Sequence, residues 1–394
     1  MNGSPERAAP IGAARSARIL LVAGEASGDM HAADLVRALR QHRPDLEVFG
    51  IGGPYLRREG MRVLTEAEDV ATVGVVEGVS RLRVLLRAYR ALVQAMRDDP
   101  PDLCILVDFP EFNLRLARAA KRAGVPVFYY IGPQVWAWRR GRVRTIGRRV
   151  DGLALVFPFE PALYEQTVPR ACFVGHPLID RVHVAREREA TLAELDLDPA
   201  KRTILLLPGS RPKEIEYLLP VFLEAAGRMA RPDRQFVLAL APTVKRAAVA
   251  AAVAAAGVSV RVTEGSTYDL MAAADLALVS SGTATLECAL LVCPMVIAYK
   301  LSPVTAVVAR LLVRGVTHIG MPNIVAGREI VPELVQGEVT PERVAREAEA
   351  ILADPARRTR MIEDLRTVRA RLGEPGAAER AAEMAVALIG SRRA

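Results

Sequence analysis

The sequence predicts an α/β protein of two Rossmann-like, doubly wound domains facing each other across a cleft, and three observations carry this. Short β-rich apolar runs alternate with helical patterns along nearly the whole chain, as parallel strands joined by covering helices do. The runs fall into two series separated by a charged segment. At 394 residues the chain can build two or three domains, each with its own core.

The first series of strands is expected at 19–23, 48–51, 103–107, 125–131, 152–157 and 172–174, and the second at 203–207, 236–241, 258–262, 276–279 and 295–298. Residues 180–202 between them are charged and helical in the middle, as a linker followed by a first helix would be. The two halves open alike, with RILLVAGEASGD and TILLLPGSRPKE each giving a strand, a Gly and Ser loop and an acidic residue before a helix. From Thr340 onward the pattern is helical, with Pro341 at a helix start and Pro355 and Pro375 as punctuation. The expected domains are therefore 18–182 and 183–355, with helices over 356–394 packing back toward the first half. Residues 1–17 lack a continuous apolar region of signal-peptide length and are expected to be a disordered extension of a cytoplasmic protein.

Composition limits the function classes. Hydrophobic residues at 51% and charged residues at 25% suit a soluble globular protein, and the longest strongly apolar stretch, 288–299, is 12 residues with Pro294 inside it, too short to span a bilayer. A net charge of +8 attracts anions, although 5 Lys against 48 Arg is also what a GC-rich genome produces. Local clustering says more: Arg139, Arg140, Arg142, Arg144, Arg148 and Arg149 follow closely on Trp136 and Trp138. Such a stretch is a solvated basic face, a surface for an anionic, amphipathic ligand or membrane interface, or a buried loop in which Trp serves as packing. Cys104, Cys172, Cys288 and Cys293 form no CxxC pair and are expected to be buried free thiols of a reducing compartment.

The most informative stretch is 275–300, a buried strand, a loop of small residues (Ser280 to Thr283), a helix carrying Glu287 and another buried strand. At the carboxyl edge of a parallel sheet, a loop containing Ser281, Gly282 and Thr283 at a helix N-terminus favours an anion such as a diphosphate. Glu287, one turn further in, suits a diol such as a ribose, while Ala284 lacks the hydroxyl of a capping box. A second loop, LLPGSR, puts Gly209, Ser210 and Arg211 after a strand, where a guanidinium can grip a diphosphate bidentately.

The first half offers carboxylates. In the loop from Gly24 to Asp29, Ser27 or Asp29 suits an N-cap, which leaves Glu25 as the carboxylate without an obvious structural task; His31 just beyond is expected at the surface. Asp108 follows the buried run LCILV and so faces the cleft at the sheet's carboxyl edge, where a general base is needed; an Asx-type turn closed by Pro110 is the competing reading. Residues 70–92, which include Val76, mix apolar side chains with Arg at near-helical spacing, as a basic amphipathic surface would. Neither GxGxxG nor GxxxxGK[ST] occurs, which weakens nicotinamide, flavin and P-loop readings, and there is no acidic DxD metal motif.

Nine segments in order, LLVAGEASGD, GIGGP, VVEGVSRL, VDFPEFN, YYIGPQVWAW, FVGHPLID, LLPGSRPKEIE, SSGTATLECAL and MPNIVAGREIVPEL, make the chain resemble the lipid-A-disaccharide synthases over 19–334. The resemblance implies an inverting, two-domain (GT-B) glycosyltransferase whose first domain binds the acceptor and whose second binds the UDP-sugar. The implied reaction joins UDP-2,3-diacylglucosamine to 2,3-diacylglucosamine 1-phosphate, giving the β-1,6-linked lipid A disaccharide 1-phosphate and UDP. It further implies no cofactor, no metal and no nucleic-acid partner, and a cytoplasmic enzyme held peripherally at the inner membrane of a Gram-negative bacterium; a homodimer is compatible with it.

By this resemblance Asp108 matches the family's essential carboxylate and Glu25 its N-terminal loop acid, with Asp108 the first candidate for the base. Arg211 matches the diphosphate-binding Arg, Glu287 the donor-binding Glu, and Asn323 and Glu329 the PN and GRE positions. Gly209, Ser210, Ser281, Gly282 and Thr283 would complete the UDP site. Ser27, Asp29, Val76, Trp136, Trp138 and Arg139 would meet the acceptor and its acyl chains. Gly132 stands where many members are expected to carry Ser, and no role is given to it. Two rivals remain: another UDP-sugar enzyme on the same fold, such as an epimerase or the peptidoglycan N-acetylglucosaminyl transferase, and a non-catalytic nucleotide-sugar or lipid-binding protein.

Overall fold

A computed structural model describes residues 16–71, 78–136, 141–302 and 317–390. The first half is built on strands β1 (Arg18–Ala23), β2 (Glu47–Gly52), β3 (Arg62–Glu66), β4 (Leu103–Val107), β5 (Val127–Tyr130), β6 (Gly152–Leu155) and β7 (Ala171–Phe173). The second uses β8 (Arg202–Leu207), β9 (Arg234–Leu240), β10 (Val260–Glu264), β11 (Leu276–Ser280), β12 (Met295–Tyr299) and β13 (Glu333–Val335). The seven-stranded sheet runs β3-β2-β1-β4-β5-β6-β7 and the six-stranded one β10-β9-β8-β11-β12-β13. All neighbouring strands pair in parallel.

The central strands are apolar throughout because both sheet faces are covered by helices. On β1, Ile19, Leu21 and Ala23 enter one core while Leu20 and Val22 enter the core on the opposite face. Close sheet packing also explains Gly50, whose φ is +142° and where a Cβ would lie 2.1 Å from the Leu21 carbonyl oxygen. Two strands went unforeseen. β3 is a half-exposed edge strand without an apolar run, and β13 has only three residues, so neither carries the periodicity that marks the others.

The chain passes between the halves twice. After the 3-10 turn Pro177–Asp180 it enters the helix Arg188–Glu194 of the second half. It returns near residues 372–376, where the His176 N–H donates to the Leu372 carbonyl (2.9 Å) and the Asp180 carboxylate accepts from Gly376 N and Ala377 N. The C-terminal helices consequently divide: Pro355–Arg371 packs on helices Thr283–Leu290 and Met321–Ala326 of the second half, and Ala377–Gly390 packs on Ala26–His42 of the first. Arg181 adds a tie to Asp34 and to the Met30 carbonyl. His31, expected at the surface, is buried beside this junction, and burial lowers its pKa to about 4. Cys172, expected to be buried, is exposed.

Asp29 is also a structural residue. Its buried carboxylate accepts from the backbone N–H groups of Gly53 (2.7 Å), Tyr55 (2.9 Å) and Leu56 (3.2 Å), closing the start of the helix Pro54–Arg58. Both oxygens are thereby engaged within the fold, and Asp29 is not among the residues that line the cavity at Glu25. Asp29→Ala leaves three buried or half-buried donors without partners. It is expected to cost about 2–4 kcal/mol of stability, read as a lower thermal midpoint, with donor KM unchanged.

Candidate active site

Asp108 occupies the strand-to-helix turn after β4, and the turn is strained. Asp108 and Phe109 both have left-handed backbones, with φ of +46° and +47°, at roughly 1–3 kcal/mol for each such residue. Three features hold it. The Asp108 carbonyl accepts from the Tyr129 hydroxyl (2.5 Å) and from Asn113 Nδ2 (2.7 Å), and the Asn113 amide also reaches the Val107 carbonyl (3.2 Å). Phe109 stacks on Phe112 with ring centroids 5.5 Å apart. Gly24 lets Phe109 approach, since a Cβ there would stand 2.5 Å from the Phe109 ring. The sequence pattern gave no sign that Tyr129 or Asn113 would position Asp108; both look like ordinary core or helix residues.

That packing brings Glu25 toward Asp108. Glu25 is exposed at the head of helix Ala26–His42, and its side chain makes no capping bond. Burial, and then the negative charge of Glu25, raise the Asp108 pKa from 3.8 to about 6, partly offset by a hydrogen bond from the Phe109 N–H. The carboxylate is thus ionised at neutral pH yet far more basic than a free aspartate. Phe109, Pro110 and Glu25 line a cavity of about 1230 Å³ that reaches Arg211 on the second half.

Arg211 also lines a second cavity, of about 630 Å³, formed at the carboxyl edge of the second sheet. Gly209, Ser210, Ser281, Gly282, Thr283 and Glu287 meet there, as the sequence predicts. Gly282 is the N-cap of helix Thr283–Leu290 and has no side chain to cap it, which leaves the helix's first N–H groups toward the cavity. The loop at Gly209 is arranged otherwise: Ser210 N and Arg211 N already donate to Glu214 Oε2, at 2.9 and 3.2 Å. An anion in this site would be met by the Arg211 guanidinium and the helix Thr283–Leu290, with Glu214 holding the Arg211 loop in shape. The Arg211 side chain is 80% exposed, and its ion pair is with Glu214. Glu287 accepts from the Tyr268 hydroxyl (3.2 Å), and burial raises its pKa. Tyr268 was not foreseen, because one tyrosine at a helix start carries no motif.

Other expected site residues lie elsewhere. Asn323 is fully buried, and its amide group is used within the fold: Nδ2 donates to Val331 O and Glu333 Oε1, and Oδ1 accepts from Ile330 N and Val331 N. It shapes the 330–333 loop, and the second cavity is lined without it. Glu329 is exposed on a separate surface hollow with Arg357 and Arg360. Ser27 is exposed in the first turn of its helix and does not line the cavity that Glu25 lines. Trp136 is a core residue: its Nε1 donates to the buried Glu160 (3.2 Å), and its ring packs edge-on against Phe157 and Phe159. Val76, Trp138 and Arg139 lie outside the described residues. Among the described residues no three His, Cys, Asp or Glu side chains are grouped to hold a metal ion.

Two parallel-sheet domains, with the half-buried Asp108 on one and the cavity around Arg211 and Gly282 on the other, have the GT-B architecture, which glycosyltransferases and UDP-sugar epimerases share. Among solved structures the chain resembles a UDP-N-acetylglucosamine 2-epimerase from Neisseria meningitidis bound to UDP-N-acetylglucosamine (TM-score 0.62, 13% identity, 95% of this chain and 100% of that one). It also resembles the calicheamicin glycosyltransferase CalG4 (TM-score 0.61, 18% identity, 96% and 99%). The family model of lipid-A-disaccharide synthetase matches residues 19–388. The lipid-A-disaccharide synthase of Geobacter sulfurreducens is 47% identical over 379 residues (96% of this chain, 98% of the relative), and that of Syntrophus aciditrophicus 48% over 374 (94% and 97%). The chain belongs to the lipid-A-disaccharide synthase family, glycosyltransferases of lipid A biosynthesis.

The Asp108 environment has two consequences. With Asp108 as the base, transfer should be half-maximal near pH 6, rising above it and falling as pH drops below it. Glu25→Gln removes a neighbouring negative charge and should move that acid limb to lower pH in a kcat/KM profile. The native state holds the Asp108 proton more tightly than the unfolded chain, so this group's contribution to stability is lost as pH rises from 3.8 to about 6. Asp108→Asn removes that penalty and suits a left-handed backbone, so its melting temperature at pH 7 should exceed that of the parent while activity is lost.

Proposed function

We propose that the cleft joins UDP-2,3-diacylglucosamine to 2,3-diacylglucosamine 1-phosphate by one in-line displacement, with Asp108 as general base. The acceptor 6-hydroxyl oxygen attacks C1 of the donor sugar, its proton passes to the Asp108 carboxylate, and the bond from C1 to the diphosphate oxygen breaks. UDP departs with the electron pair, and the product is a β-1,6 disaccharide 1-phosphate. Arg211 and the N-terminus of helix Thr283–Leu290 would meet the charge growing on the leaving diphosphate, and Glu287, oriented by Tyr268, would hold the ribose. The observation that carries this reading is the raised pKa of a carboxylate fixed in a strained turn beside a cavity that Arg211 closes from the other half.

Acylated substrates require an apolar surface near the base. Leu85, Leu86, Tyr89 and Phe112 line the same cavity, and helix Gly78–Asp98 exposes Val84 and Leu86 beside Arg83, Arg87 and Arg90. Exposed apolar groups flanked by arginines suit a peripheral position on an anionic membrane. Among the described residues no helix is long and apolar enough to cross one.

UDP release separates this reading from its rivals. With acylated donor and acceptor together the protein should turn over; Asp108→Asn should lose about 10²–10⁴-fold in kcat with UDP still bound. Arg211→Ala should lower kcat/KM about 10²-fold or more with no change in melting temperature, as its side chain is largely in solvent. Turnover of UDP-N-acetylglucosamine without acceptor would instead point to an epimerase-like or hydrolytic enzyme.

A further inference from the structure

We infer that Arg115 and Arg118, with Arg149 beside them, form the site for the acceptor's phosphomonoester; the inference rests on the proposed reaction. The three guanidinium-bearing residues line the same cavity as Glu25 and Phe109. Positions 115, 118 and 122 are three and four apart on helix Pro110–Arg122, so they share one face. Many arginines of this protein pair with carboxylates, as Arg37 does with Glu59, Arg142 with Glu111 and Arg234 with Glu349. Among the described residues Arg115, Arg118, Arg122 and Arg149 make no such pair.

Arg149 is held in place, its Nη1 donating to the Leu114 carbonyl at 2.8 Å. Desolvation, and then the positive charges of Arg118 and Arg148, lower its pKa, as expected where cations cluster. A dianionic phosphate between them would replace that repulsion with charge-assisted hydrogen bonds. Glu111 lines the cavity but is paired with Arg142, and Glu25 stands at the Asp108 end.

Distance along the helix selects among the arginines. The acceptor's 6-hydroxyl must reach Asp108, and its phosphate sits across one sugar ring. Arg115 and Arg118 lie about 7 and 12 Å along the axis from Pro110, and their side chains lean back toward the helix start. Arg122 lies about 18 Å along and falls beyond a single ring. The apolar side of the cavity, Leu85, Leu86 and Tyr89, would then take the acyl chains of the same molecule.

The test compares acceptor 2,3-diacylglucosamine with and without its 1-phosphate, at saturating donor. The double variant Arg118→Ala/Arg149→Ala should raise the KM of the phosphorylated acceptor about 10- to 100-fold, leave donor KM within about twofold, and erase the preference for the phosphate. Arg122→Ala should keep that preference and serves as the control on the same helix. Direct titration of the phosphorylated monosaccharide into the protein, followed by its phosphorus NMR signal, reads the site without turnover. Binding that needs Arg118 and Arg149 in a protein showing no transfer would retain the site and reject the reaction. Sedimentation with phosphatidylglycerol against phosphatidylcholine vesicles distinguishes a lipid headgroup as the source of the phosphate. If the double variant keeps the parent's preference for the phosphorylated acceptor, or loses only vesicle binding, the inference is wrong.

Discussion

The structure depends most on the turn at Val107–Phe109. Two consecutive non-glycine residues in left-handed backbone are costly, and the fold absorbs the cost with bonds to one carbonyl, that of Asp108, from Tyr129 on the neighbouring strand and Asn113 on the following helix. Because β4 and β5 are adjacent and parallel, Tyr129 is delivered at the height of the strand end. The same turn directs Phe109 against Gly24, which fixes the distance between the first loop and the carboxylate. The electrostatics of the site thus follow from backbone geometry: the strained turn half-buries Asp108 and brings Glu25 near enough to raise its pKa.

Asp108 and the anion cavity belong to different sheets, so their relative position is set by the two crossings and by the last helix. Asp180 capping residues 376 and 377, the His176 bond to Leu372, and Arg181 reaching Asp34 concentrate polar contacts at this junction. Arg211 is the residue that lines both cavities, and it does so from solvent with a single carboxylate partner. Glu214 holds both the loop and the exposed guanidinium, so an arriving diphosphate would compete with a single solvent-exposed carboxylate contact for the Arg211 tip.

Most of the sheet architecture was legible because buried parallel strands are written as apolar runs bounded by loops, as at β1, β4 and β8. β3 and β13 were not, since an edge strand and a three-residue strand bury too little to leave a pattern. In the site, Asp108, Glu25, Arg211 and the 281–283 loop could be located because each follows a strand at its carboxyl edge. For Asp29, Asn323 and Trp136 the particular partners inside the fold were not legible. Their polar atoms satisfy backbone groups or a buried carboxylate 7 to 24 residues away, outside the reach of helix or strand spacing. Tyr129 and Asn113 were invisible for the same reason.

The two halves divide the chemistry by charge. In the proposed reaction the second half would meet growing negative charge with a guanidinium and a helix N-terminus, whereas the first would take up a proton on a carboxylate made more basic by burial and by a neighbouring carboxylate. Placing both functions in one domain would let Arg211 stabilise the Asp108 anion and pull its pKa down, weakening the base. Separation across a cleft keeps the carboxylate basic until substrate bridges the gap. The cavity of about 1230 Å³ runs from Glu25 and Phe109, beside Asp108, to Arg211, and in the proposed reaction an acylated acceptor lying there would complete the path from base to leaving group.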